Sequence, residues 1–174
     1  MSVQDGRTIL ETLIQSSTVD LFHASSIAVA PLPEARLRTD QLPRHQLRAV
    51  ISFTAHGFTG SLGLLVPQAV FALVRQPPTR KFGGEEWVRE VINQLLGRIK
   101  ARLLQFEVTL QLGLPQLLTP VALEQLGAHG LLGVFPFRTL RGEVIVTLSG
   151  KIDYSVLRYS GKSRIASEGD IILF

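Results

Sequence analysis

The chain has 174 residues, of which 45% are hydrophobic and 18% charged, and a mean hydropathy of +0.25. That length suits one ordinary domain with its own core, and the composition excludes a disordered chain. The net charge is +4 and there is no cysteine, which excludes disulfides, thiolate metal sites and a cysteine nucleophile.

Residues 6–17 carry Ile9, Leu10, Leu13 and Ile14 at helical spacing and predict a short amphipathic helix. Pro31, Pro33 and Pro43 mark an irregular or edge segment. Residues 51–74 contain no Asp, Glu, Lys or Arg, yet Gly57, Gly60, Gly63 and Pro67 interrupt them and apolar residues alternate with others, so they read as sheet and not as a membrane span. Strands are expected at Gln46–Ala55 and at residues 59–65, around a turn at His56 and Gly57. A helix over 68–74 opened by Pro67 and a loop over 76–84 come next.

The strongest helical pattern covers residues 85–104. At about 100° per residue, Val88, Val91, Ile92, Leu95, Leu96, Ile99 and Leu103 share one side, while Glu86, Glu90, Asn93, Gly97 and Lys100 share the other. Residues 106–112 alternate like a strand, Pro115 and Pro120 bracket an irregular segment, and 121–126 form one or two helical turns. A hairpin is expected from strands 130–139 and 142–149 with Arg141 in its turn, and strand-like runs at 154–159 and 170–174 suggest another in the tail.

Charge is unevenly spread. Residues 51–100 carry six bases and three acids, all between Arg75 and Lys100, while the other segments are close to balanced. A basic stretch of this kind suits an acidic partner. Nucleic acid is disfavoured because aromatics make up 7% and are mostly Phe at strand positions.

Most motif readings fail on spacing. Ser160-Gly161-Lys162-Ser163 lacks the upstream glycine of a phosphate loop, Val156 standing there, and only eleven residues follow it. His23, His45, His56 and His129 form no metal-ligand or triad pattern, so no metal site is expected. What remains is the polar helix side, where Glu90 and Asn93 lie within about 60° of each other and can reach one partner. Gly97 continues that stripe, at roughly 1 kcal/mol of helix stability relative to alanine.

Glu90-Val-Ile-Asn93 is followed 22 positions after the asparagine by Pro115, with Gly97 four positions after it, Lys100 close by, and a Gly57-Phe-Thr-Gly60 segment upstream. In this the chain resembles the CheC/CheX/FliY family of response-regulator phosphatases over about residues 6–155. A single Glu-x-x-Asn copy favours the CheX type. The resemblance implies an α/β (α+β) fold, an antiparallel sheet with long helices packed on one side, in a domain over 1–155 with 156–174 as its extension. It also implies a homodimer joined at sheet edges, and hydrolysis of the aspartyl phosphate on a CheY-like receiver; the lack of cysteine and of an apolar run at the amino terminus leads one to expect the cytoplasm.

Such a phosphatase needs no cofactor of its own, since Mg2+ sits in the receiver. A carboxamide can both donate to and accept from one water, so Asn93 is the residue expected to hold the attacking water. Glu90 cannot help a phosphoryl group by its own charge and is expected to pair with a receiver cation, which the family implies is the active-site lysine. Glu86, Gly97 and Lys100 flank that contact and are expected to bind the receiver with it, and Pro115 shapes the chain beside the helix. On the sequence alone, a module of the same fold that docks without turnover remains open, as does a basic protein binding nucleic acid or a membrane surface.

Overall fold

The computed structural model describes residues 5–33, 46–74, 83–128 and 130–157. Pro43, most of the 76–84 loop and the tail strand at 170–174 lie outside them.

Helix α1 (Gly6–Ala24) begins at Asp5 and runs seven residues beyond the expected Ser17. Ser16, Ser17, Thr18 and Val19 are weak helix formers, which is why the local pattern stops there. Burial overrides propensity: Ser17 and Thr18 are fully buried, Leu21 and Phe22 continue the apolar face, and Thr18 Oγ1 donates to the Ile14 carbonyl at 2.8 Å. The helix closes with Ser26 at φ 60°, its amide bonded to the His23 carbonyl.

Strand β1 (Ala30–Pro31) is an edge fragment, as its proline requires. Strands β2 (Gln46–Ala55) and β3 (Phe58–Pro67) form a full antiparallel ladder through the His56–Gly57 turn, where Gly57 takes φ 75°. The following helix α2 (Gln68–Phe71) is shorter than the 68–74 expected, ending in a turn in which Leu73 donates to the Val70 carbonyl. Helix α3 (Gly84–Leu103) matches its expected span within a residue and passes into a 3-10 turn at Leu104–Phe106.

The expected strand over 106–112 is largely absent. Glu107 adopts a left-handed φ of 62° and the Val108 amide turns back to the Leu103 carbonyl, so only β4 (Gln111–Leu112) pairs with β2. The alternation was still informative about burial, because Val108 and Leu110 both enter the core. Strand β5 (Gln116–Leu117), helix α4 (Pro120–Ala128) and the hairpin β6 (Leu131–Thr139) with β7 (Gly142–Ile152) complete a seven-stranded antiparallel sheet ordered β1-β6-β7-β3-β2-β4, with β5 also on β2.

The sheet has unequal faces. Ala49, Ile51, Phe53, Leu62, Leu64, Val66, Val144, Val146, Leu148, Phe135 and Phe137 point toward α1 and α3 and form the main core with them. On the other face Leu65 and Ile145 meet Leu118 and Leu123 under α4, and Ser61 and Ser149 share a hydroxyl bond at 2.8 Å. The long helices thus lie together on one side, tied by Arg102 of α3, which donates to Ser16 and Ser17 hydroxyls at 2.6 and 3.1 Å and pairs with Asp20. Among the described residues no helix is long and apolar enough to cross a membrane.

The strand-like reading of 154–159 is corrected where it is described: Tyr154–Val156 is a 3-10 turn, started by Asp153, whose carboxylate accepts from the Ser155 amide at 2.9 Å. The turn docks on the start of α1 and carries Leu157 into the core. Burial there pushes the Tyr154 phenol above its ordinary pKa. Gly6 makes the contact possible, since a Cβ there would lie 2.1 Å from the Tyr154 carbonyl oxygen. Gly6→Ala should therefore destabilise by about 1–3 kcal/mol although alanine is the better helix former, and thermal unfolding should show a lowered Tm. An unchanged or raised Tm would contradict this packing.

Candidate functional site

The position of α3 is set by its apolar side. Trp87, Val88, Val91, Ile92, Leu95, Leu96, Ile99 and Leu103 are buried, with Trp87 against the Phe71 ring at a centroid distance of 5.4 Å. Such a helix cannot roll without exposing that side, so its outer stripe points in one fixed direction. Glu86, Glu90, Asn93, Gly97 and Lys100 lie on that stripe, within about 80° of arc and along about 21 Å of axis.

Their local engagements differ. Glu86 reaches back to the Gly83 amide at 3.3 Å, half of a capping box whose other half a glycine cannot supply. Glu90 Oε1 accepts from Gln94 Nε2 at 2.7 Å, and among the described residues it has no ion-pair partner. Asn93 is exposed and its carboxamide has no hydrogen bond among the described residues. Lys100, one turn beyond Gly97, is partly exposed. The stripe ends on Leu104, 50% exposed, which the pattern had marked only as the end of the helix. Gln94 is not among the expected site residues, although its i,i+4 spacing from Glu90 is a readable signal.

Pro115 sits in a bulge. Phe53 pairs with Leu112 and Val50 with Gln116, so residues 113–115 stand opposite 51 and 52, three against two. Gly113 holds the near side, its amide on the Ser52 carbonyl at 2.8 Å, and Pro115 has no amide to leave unpaired in the gap. Pro115 thus lies in the irregular edge between β4 and β5, the latter of which packs against α3.

The structure describes only part of the expected basic stretch. Of the six bases between Arg75 and Lys100, Arg75, Arg80 and Lys81 lie outside the described residues. On α3 the other three, Arg89, Arg98 and Lys100, are balanced by Glu85, Glu86 and Glu90. The acids gather in the first half and Arg98, Lys100 and Arg102 in the last turns, which complements the helix dipole. The described part of the site is bipolar rather than basic.

As a sequence, the chain matches no family model and no curated protein. Its structure is similar to several solved ones. Chemotaxis protein CheX from Vibrio vulnificus superposes with a TM-score of 0.61 at 13% identity, over 80% of this chain and 97% of that one. A CheC-like superfamily protein from Shewanella sp. PV-4 gives 0.60 at 13%, over 81% and 97%. The CheX of a CheX–CheY–BeF3–Mg2+ complex from Borrelia burgdorferi gives 0.57 at 10%, over 79% and 95%. The chain therefore has the CheX/CheC-like α+β fold, as the Glu-x-x-Asn and proline spacing led one to expect.

Gly97 is the part of the stripe that internal packing does not explain: a Cβ there would meet nothing within 4 Å. Gly97→Ala should raise stability by roughly 1 kcal/mol and Tm by about 2–4 °C. A fall in Tm on thermal unfolding would mean that the glycine serves the fold and not the surface.

Proposed function

We propose that this chain is a response-regulator phosphatase that docks a CheY-like receiver on the outer stripe of α3 and hydrolyses its aspartyl phosphate. The observation that carries the reading is the pairing, one helical turn apart, of a carboxamide at Asn93 with a carboxylate at Glu90, where among the described residues the first has no hydrogen bond and the second no cation partner. The Borrelia burgdorferi complex, in which a protein of this fold is joined to CheY with beryllofluoride and Mg2+, supports the choice of partner.

An acyl phosphate is already activated, and the receiver supplies the Mg2+, so the phosphatase has to contribute position more than chemistry. Asn93 accepts one hydrogen bond from a water and donates another to it, holding it in line with phosphorus. The water oxygen bonds to phosphorus, the bond to the aspartyl oxygen breaks, and the receiver regains its carboxylate while phosphate leaves with the water's proton shed to phosphate or solvent. Neither a base nor a nucleophile from this chain is required. Glu90 pairs with the receiver's active-site lysine and so fixes the angle at which Asn93 enters.

The rest of the stripe frames that contact. Gly97 leaves bare helix backbone for close approach, Lys100 faces the acidic rim of the receiver pocket, and Glu86 holds the start of α3. A sheet-edge homodimer belongs to the same reading: among the described residues, Leu131 to Phe135 of β6 have no strand on their outer side.

Asn93→Ala should slow dephosphorylation by about a hundredfold or more at saturating receiver, with Tm not lowered. A rate within about twofold of the parent would remove Asn93 from the chemistry. Glu90→Lys should act on docking instead, raising the Kd for a beryllofluoride-loaded receiver by more than about tenfold, because it sets a like charge against the receiver cation. Equal affinities in a calorimetric titration would exclude Glu90 from the interface.

A further inference from the structure

We infer that Gln94 is a positioning residue, holding the Glu90 carboxylate in the orientation in which it meets the receiver cation; this rests on the reading of α3 as a docking face. Gln94 Nε2 donates to Glu90 Oε1 at 2.7 Å, one helical turn away, on an exposed part of the helix. The more common partner for a glutamate at this spacing is a lysine or arginine. Either would orient the carboxylate but also neutralise it, leaving less attraction for an external cation. A carboxamide gives an N–H without a charge. It fixes one carboxylate oxygen while leaving the group's net charge unneutralised and its second oxygen to accept from a partner.

The arrangement also addresses entropy. A glutamate on an exposed helix samples many rotamers, and docking must select one of them. Tethering Oε1 in advance removes part of that loss, so the complex gains affinity without a new contact across the interface. The sequence is consistent with this division of labour: Asn93 and Gln94 are adjacent carboxamides, but Gln94 is spent on Glu90 while Asn93 has no hydrogen bond among the described residues.

A titration of beryllofluoride- and Mg2+-loaded receiver against the full-length parent and four variants tests this. The variants are Gln94→Leu, Gln94→Lys, Glu90→Ala and the double Glu90→Ala/Gln94→Leu. Leucine and lysine are about as good helix formers as glutamine, so a purely helix-stabilising role would leave both Gln94 variants at parental affinity. The positioning role predicts that Gln94→Leu weakens binding by about three- to tenfold. Gln94→Lys should weaken it further by cancelling the Glu90 charge, and the double variant should bind no worse than Glu90→Ala alone. If Glu90→Ala weakens binding while either Gln94 variant stays within twofold of the parent, the inference is overturned and the docking role of Glu90 stands. If Glu90→Ala binds as tightly as the parent, or the parent does not bind, the docking reading falls and this inference with it.

Discussion

Everything proposed for this protein depends on the one-sided burial of α3. Eight of its side chains, from Trp87 to Leu103, are sealed against β2, β3 and α1, and the Arg102 contacts with Ser16, Ser17 and Asp20 hold the neighbouring helix to it. A roll of one residue, about 100°, would carry Glu90 toward the core and part of the apolar face into water. Burying an unpaired carboxylate is so unfavourable that no such register competes. The outward direction of Glu90, Asn93 and Gly97 is therefore a consequence of packing, not of their own interactions.

The composition of the stripe narrows that use. A site that had to generate a nucleophile or move a proton would bring a histidine or a paired carboxylate to hydrogen-bonding distance. Here a carboxamide, a glutamine-tethered carboxylate and an unfilled glycine surface share one helix side. These groups orient and admit. They suit a reaction whose electrophile is already activated and whose metal is carried by the partner. The near-balance of charge along α3 adds that any long-range attraction of an acidic receiver must draw on more than this helix, which by itself offers a dipolar pattern suited to alignment.

Much of this could be read from the sequence because the determining signals were strong and local. The apolar period of α3 gave its span and faces, and β2 and the turn at Gly57 followed from alternation and punctuation. The distance from Asn93 to Pro115 pointed to the fold before any contact was known. What escaped was decided by tertiary partners. The last seven residues of α1 are helical because Ser17 and Thr18 are buried and Arg102 reaches across from another helix, and no local pattern encodes that. Residues 106–110 alternate as a strand would, but the left-handed Glu107 turns them under α3 before they can pair. Tyr154 reads locally as part of a strand because its docking site, the bare backbone at Gly6, lies almost the whole length of the chain away.

The central claim is turnover on a receiver, and the most direct measurement is the lifetime of the aspartyl phosphate in a set of purified receivers from the same host, with the unmodified chain present at a small fraction of their concentration. The account predicts that at least one receiver loses its phosphate many times faster than alone, releasing far more inorganic phosphate than there is chain. Binding of a phosphorylated receiver with its phosphate lifetime unchanged or lengthened across the set would contradict it, and would make α3 the docking face of a module that reads the phosphorylated state without ending it.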